Sequence, residues 1–313
     1  MKFALVRLSL LLACALSCGA CAVGTTSGPP PRSMPAARAA LAPEYRIFYD
    51  TLQDYGDWVL IEPYGYLFRP RVDFHTWRPF ESGFWAPSDS YGWVWISGEP
   101  FGWATYHYGR WFFDDFRGWV WQPGAQWGPA WVSWQANNNY VGWSPLAPGG
   151  GFRPLTASIP GGTYLYAPIH QMGSADLQVR TADQLGEAAV ANAAPADNIA
   201  EVDGVQVPLG PPIARIERLS GRPLPRVRIS DLIGGDRAGG PVRTDTAESE
   251  PAAPERPITL DETRRAGEAA ALTARTLLRS GGELPSRLPV VRAFGRKLST
   301  ARPAPPDTAR TKR

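Results

Sequence analysis

Between residues 55 and 134 apolar positions recur in short alternating runs broken by Gly and Pro. One unit, Y-G-D-W-V-L-I-E-P-Y-G-Y-L-F-R-P, occupies 55–70. A second, Y-G-W-V-W-I-S-G-E-P-F-G-W-A-T-Y-H-Y, fills 91–108, and a looser third, R-G-W-V-W-Q-P-G-A-Q-W-G-P-A-W-V-S-W, fills 117–134. Each holds an aromatic and β-branched run, a Pro/Gly turn and a second such run, which predicts three β-hairpins. The turn glycines Gly65, Gly102 and Gly128 stand 37 and 26 residues apart. That irregular period predicts an antiparallel meander, a small barrel or sandwich, rather than a solenoid or propeller. In 92–96, Trp93 and Trp95 share one strand face and Val94 and Ile96 the other; Trp119 and Trp121 repeat the arrangement in 118–122. A strand apolar on both faces is covered on both sides, or leaves an aromatic face for a partner.

Beyond residue 150 the pattern weakens. Strands are predicted at 163–168, 176–180, 199–207 and 227–229, with a weakly structured Ala-rich stretch at 186–196. Pro211 and Pro212 open a helix over 213–219 that stops at Gly221, the usual Pro-first, Gly-last arrangement. From residue 235 Pro, Ala, Gly, Arg and Glu dominate, which predicts a largely disordered tail with one helix at 260–279, where Asp261 and Glu262 favour its start. The expected fold class is mainly β. The expected organisation is an export leader (1–20), a tether (21–43), a Trp-rich β domain (44–150), a small α+β element (151–234) and the tail (235–313).

Composition sharpens this picture. All 13 tryptophans fall between Trp58 and Trp143, while Gly and Pro supply 32 residues each. One aromatic-dense body is therefore flanked by material of another kind. The leader has a positive start (Lys2, Arg7), an apolar run of about nine residues and small residues after it, too short to span a bilayer as a helix. Cys14, Cys18 and Cys21 all lie in or just after that run, so the body holds no disulfide and no thiolate metal site. The net charge of +3 falls to +1 without Lys2 and Arg7, which gives no reason to expect nucleic acid. From Arg279 onward nine Lys/Arg stand against Glu283 and Asp307, a tail suited to an anionic envelope surface or simply to solvent.

Two resemblances follow from particular motifs. The S-C-G-A-C at 17–21 resembles the lipobox of bacterial lipoproteins, with Cys21 as the lipidated residue; Cys18 departs from that pattern, which usually has Leu there. Ala22 after it, by the same resemblance, implies outer-membrane retention. Y-H-Y-G-R-W (106–111), G-W-V-W-Q-P-G (118–124), P-A-W-V-S-W (129–134) and V-G-W-S-P-L-A-P (141–148) resemble a family of Trp/Pro-rich exported bacterial proteins of unknown function. The likeness runs from about 45 to 148 and more faintly over 202–229. It implies export and a β-rich domain, and carries no activity.

Candidate chemistry is sparse. His75, His107 and His170 lie far apart, outside any metal-ligand spacing, so no metal or cofactor is expected. His107, on a strand, would face away from Tyr106 and Tyr108, as a polar anchor in an aromatic cleft, as a general base, or as a histidine held by a backbone carbonyl. Arg110 could stack on an indole or pair with Asp114 or Asp115. The binding candidates are Trp93, Trp95, Trp119, Trp121, Tyr106, His107, Arg110, Trp111 and Trp134, either as core or as a platform for sugar rings. Asn137–Asn139 would supply polar contacts or an ordinary turn. The leading expectation is an envelope-anchored, non-catalytic protein binding a glycan or envelope polymer. The alternatives are an assembly protein docking another envelope protein, and a hydrolase using two carboxylates from Glu62, Glu81, Glu99, Asp114 and Asp115.

Overall fold

In the computed structural model the described residues are 35–154, 159–202, 204–227 and 260–280. The leader, Cys21 and the basic tail lie outside them. Helices α1 (Pro35–Ala40) and α2 (Arg46–Leu52) precede the first hairpin, β1 (Gly56–Ile61) and β2 (Gly65–Pro70), which turns at Gly65 as its residues predict. Then come β3 (Gly83–Pro87), β4 (Trp93–Ser97), the short helix α3 (Gly102–Thr105), β5 (Arg110–Asp114) and β6 (Gly118–Gln122). β7 (Val132–Ala136), β8 (Tyr140–Pro145), β9 (Leu165–Pro168), β10 (Arg180–Thr181), α4 (Ala182–Leu185), α5 (Glu187–Val190) and β11 (Ala194–Pro195) follow. The last elements are β12 (Ile199–Val202), β13 (Val205–Pro208), α6 (Ile213–Ser220) and α7 (Leu260–Ser280).

Every paired strand is antiparallel, in sheets ordered β1-β2-β6-β5, β10-β9-β8-β7-β11, β12-β13 and β3-β4, and none closes into a barrel. The fold is mainly β, as expected. The second and third expected hairpins are corrected. Each W-V-W strand pairs with the strand before it, Trp95 opposite Trp85 and Trp121 opposite Trp111. The physical reason is the glycine ahead of each run. Gly92, just before β4 (φ +65°), and Gly118, the first residue of β6 (φ +75°), take the left-handed conformation where the chain turns back. After β4 the chain does not return as a strand. Tyr106 N–H and Tyr108 N–H donate to the carbonyls of Gly102 and Ala104, and G-W-A-T is the helix α3. In a segment buried on all sides, alternation of aromatic residues does not separate strand from helical turn.

The sheets meet through indoles. Trp85 lies 4.3 Å from Trp134 and 5.5 Å from Trp143, joining the buried pair β3-β4 to β7 and β8. The free edge of β4 is covered by other backbone: Trp93 N–H and Trp95 N–H donate to the carbonyls of Leu209 and Pro129. In the four-stranded sheet Phe68, Trp121 and Trp111 line up across the strands, and Phe48 of α2 meets Trp121 edge-on at 5.2 Å. Each buried indole withdraws roughly 200 Å² from water, about 5 kcal/mol before conformational costs.

The second half packs into the same core. β9 pairs with β8 and β11 with β7, so one sheet draws strands from both sides of residue 150. The strand expected over 199–207 is a hairpin, turning at Gly204 (φ +77°). α6 begins after Pro212 and ends on Gly221 in the left-handed conformation, as its sequence predicts. α7 covers 260–279 and one residue more. It lays a face of Gly267, Ala270, Ala271 and Ala274 against the body, and a Cβ at Gly267 would stand 2.4 Å from Trp103 Cδ1. Tyr55 donates its hydroxyl to Glu268 (2.6 Å) to fasten it. Among the described residues no helix is long and apolar enough to cross a membrane.

Candidate functional site

The residues named from the sequence lie within the packing. Trp93, Trp95, Trp111, Trp119, Trp121, Trp134, Tyr106 and His107 are all buried, and Arg110 is half-buried. The structure brings them together as core, not as an open row of rings. Trp93 donates its indole N–H to Pro211 O, Trp111 to Thr105 O and Trp121 to Tyr108 O, at 2.7–2.9 Å.

The Y-H-Y-G-R-W motif is the hub of this packing. His107 sits past α3 rather than on a strand. Its Nδ1 lies 2.9 Å from Gly128 O, and because a carbonyl only accepts, Nδ1 carries the proton. Its own carbonyl accepts from Gly128 N–H and Trp131 Nε1, and its ring stacks on Trp127 at 5.6 Å. Burial pushes the imidazole down to about 4, which keeps it neutral. The carbonyl-held alternative for His107 is thus the one observed. Arg110 places its guanidinium 3.8 Å over Trp131, whereas Asp114 is 3.4 Å from Arg117. Asn137 Oδ1 accepts from Asn139 N–H and Tyr140 N–H, closing the β7–β8 turn.

Behind Tyr106 lies a carboxyl with unusual surroundings. Glu99 accepts from the Tyr106 hydroxyl on one oxygen and from Trp77 Nε1 (2.5 Å) on the other. The residue keeps some exposure, yet its carboxyl lies deep. Burial pushes it up to about 7 against the two hydrogen bonds, which favour the ionised form. Glu99, Trp103 and His107 line a narrow pocket that Gly267, Ala270 and Ala271 of α7 close.

Trp77 leads out of the core. Of the 13 tryptophans, it alone is not buried. It forms part of a shallow cleft between the end of β2, the loop after it and the β5–β6 turn. Phe74, Trp77 and Trp119 supply rings there, and Arg69, Arg117 and Asp73 supply charge. Asp73 Oδ1 accepts from His75 N–H and Thr76 N–H, which fixes the loop and holds this carboxyl below its ordinary range. Phe74 lies close over Gly118, where a Cβ would stand 2.7 Å from its ring. Glu99 holds Trp77 by its indole nitrogen, and Trp111 packs against the ring at 5.5 Å.

Residues 49–150 match the model of a family of unknown function, DUF6600. The matched segment contains both the buried aromatic hub and the cleft; α6 and α7 fall beyond it. No curated protein and no solved structure matches the chain.

Sequence reasoning named Trp119 among the cleft residues and missed Phe74, Trp77, Arg69 and Arg117. The available signal was Trp77's setting: it stands outside the three hairpin units, with polar His75, Thr76 and Arg78 beside it. Among the described residues no group of His, Cys, Asp and Glu could hold a metal.

Proposed function

We propose that the chain is a non-catalytic binding protein of the cell envelope, held by a lipid on Cys21, which takes a glycan or envelope polymer in the cleft of Phe74, Trp77 and Trp119. The observation that carries this reading is the placement of Trp77. Twelve indoles are buried, Trp119 of the cleft lining among them, while Trp77 is partly exposed, held by Glu99 beside half-buried Phe74 and polar groups. An indole face suits the apolar C–H face of a sugar ring, and nearby guanidinium donors suit its oxygen atoms. The test is a titration of the full chain, in detergent, with soluble polysaccharides and peptidoglycan fragments, following tryptophan emission. A saturable shift with one of them is expected; no shift with any overturns the reading.

A second reading, docking of another envelope protein, rests on Phe116. Phe116 is 90% exposed at the β5–β6 tip beside the cleft, where it extends the apolar surface that a protein partner would cover. Phe116→Ser would then weaken protein association while leaving the saccharide titration unchanged.

A further inference from the structure

We infer that the cleft selects a carboxylate-bearing sugar, with Arg69 and Arg117 as the residues that read the acid; this rests on the glycan-binding reading above. Arg69 is half-buried and faces Asp57 across the β1–β2 pair, yet Asp57 Oδ1 is taken by Arg71 at 3.2 Å. Among the described residues the Arg69 guanidinium has no hydrogen bond or ion pair. Arg117 is little better matched. Its Nη1 is 3.4 Å from Asp114 Oδ1, and that oxygen already accepts from Phe116 N–H at 3.0 Å and Arg117 N–H at 2.8 Å. Asp73, the one acid lining the cleft, has an oxygen turned to the N–H groups of its own loop.

The cleft therefore combines two guanidinium groups with largely uncommitted donors and three aromatic side chains. A planar guanidinium matches a carboxylate through paired N–H donors, and such charge-assisted bonds are about twice as strong as neutral ones. A neutral sugar uses the rings but leaves the charge unanswered. A free phosphate answers the charge but has no ring to lay on Phe74 or Trp77. A sugar acid uses both halves of the site.

The test compares oligogalacturonate with its carboxyl-reduced counterpart on the full chain in detergent, reading tryptophan emission and repeating it at raised salt. Binding of the acidic oligomer is expected to be roughly tenfold or more tighter and to weaken with salt. Arg69→Gln and Arg117→Gln should each erase most of that preference, with the urea midpoint unchanged, because both side chains reach solvent. Equal affinity for the two oligomers overturns the inference and leaves the glycan reading standing; no binding of either overturns both. Displacement by inorganic phosphate at the same concentration as by the acidic oligomer also overturns it, since the site would then read only charge.

Discussion

Glu99 and His107 line one pocket, and burial favours the neutral form of each, one acid and one base. The Glu99 carboxyl moves from 4.5 to about 7, so between those values the folded chain keeps a proton that the unfolded chain has lost. Glu99 therefore subtracts stability as pH rises through that window, by about 2–3 kcal/mol in all, the lower end allowing for its partial exposure. His107 moves from 6.5 to about 4. Between those values the unfolded chain binds a proton that the folded chain refuses, so His107 subtracts about 3 kcal/mol as pH falls. The two slopes oppose each other over pH 4.5–6.5. Removing one should uncover the other. Relative to the parent, Glu99→Gln is expected to gain about 2–3 kcal/mol of pH-dependent stability from pH 4.5 to 7. His107→Gln is expected to gain about 3 kcal/mol relative to the parent as pH falls from 6.5 to 4. Urea unfolding of each variant and the parent at half-unit steps from pH 4 to 8, read by tryptophan emission, measures both differences. A Glu99→Gln difference that is constant across pH would refute the reasoning, whatever its absolute size.

Three other outcomes are expected. Gly109→Ala, at φ +67° with Gln122 O standing 2.0 Å from the added Cβ, should cost at least about 2 kcal/mol in urea unfolding. A chain ending at residue 150 removes β9 from the edge of β8 and takes Met172, Val207, Ile216 and Leu224 out of the core, so it should lose its cooperative transition; a transition like that of the full chain would show a self-sufficient domain. Cys21→Ala should move the protein from the membrane to the soluble fraction, and unchanged fractionation would remove the lipid anchor from the account.

The elements most legible in the sequence were those whose boundaries are set locally. The first hairpin turns where Gly65 stands, α6 is framed by Pro212 and Gly221, and α7 falls within a residue of its Ala/Leu-rich stretch. Pairing was less legible. Gly92 and Gly118 sit one place ahead of their W-V-W runs, but Gly102 and Gly128 within the units carry the same residue type, and only the backbone angle separates a left-handed turn from an ordinary loop. Which aromatic faces are covered was not legible at all. Trp93 and Trp95 alternate against Val94 and Ile96, so neither face is polar, and alternation then says nothing about which meets solvent. The cover comes from residues remote in sequence from β4: Trp143 packs 6.2 Å from Trp95, and Pro211 O takes the Trp93 indole N–H. The cleft escaped notice for a related reason. Trp77 lies in a loop without period, and its fixed orientation depends on Glu99, 22 residues away, which reads in the sequence as one acid among many.

The most direct test of the central claim is an amide and indole correlation NMR spectrum of the ¹⁵N-labelled full chain in detergent, recorded with and without the acidic oligosaccharide. The account predicts that the indole signals of Trp77 and Trp119 move with saturation, while those of Trp93, Trp95, Trp121 and Trp134 stay in place. Shifts at the latter four with Trp77 unmoved would contradict it, and so would a spectrum that the saccharide leaves unchanged.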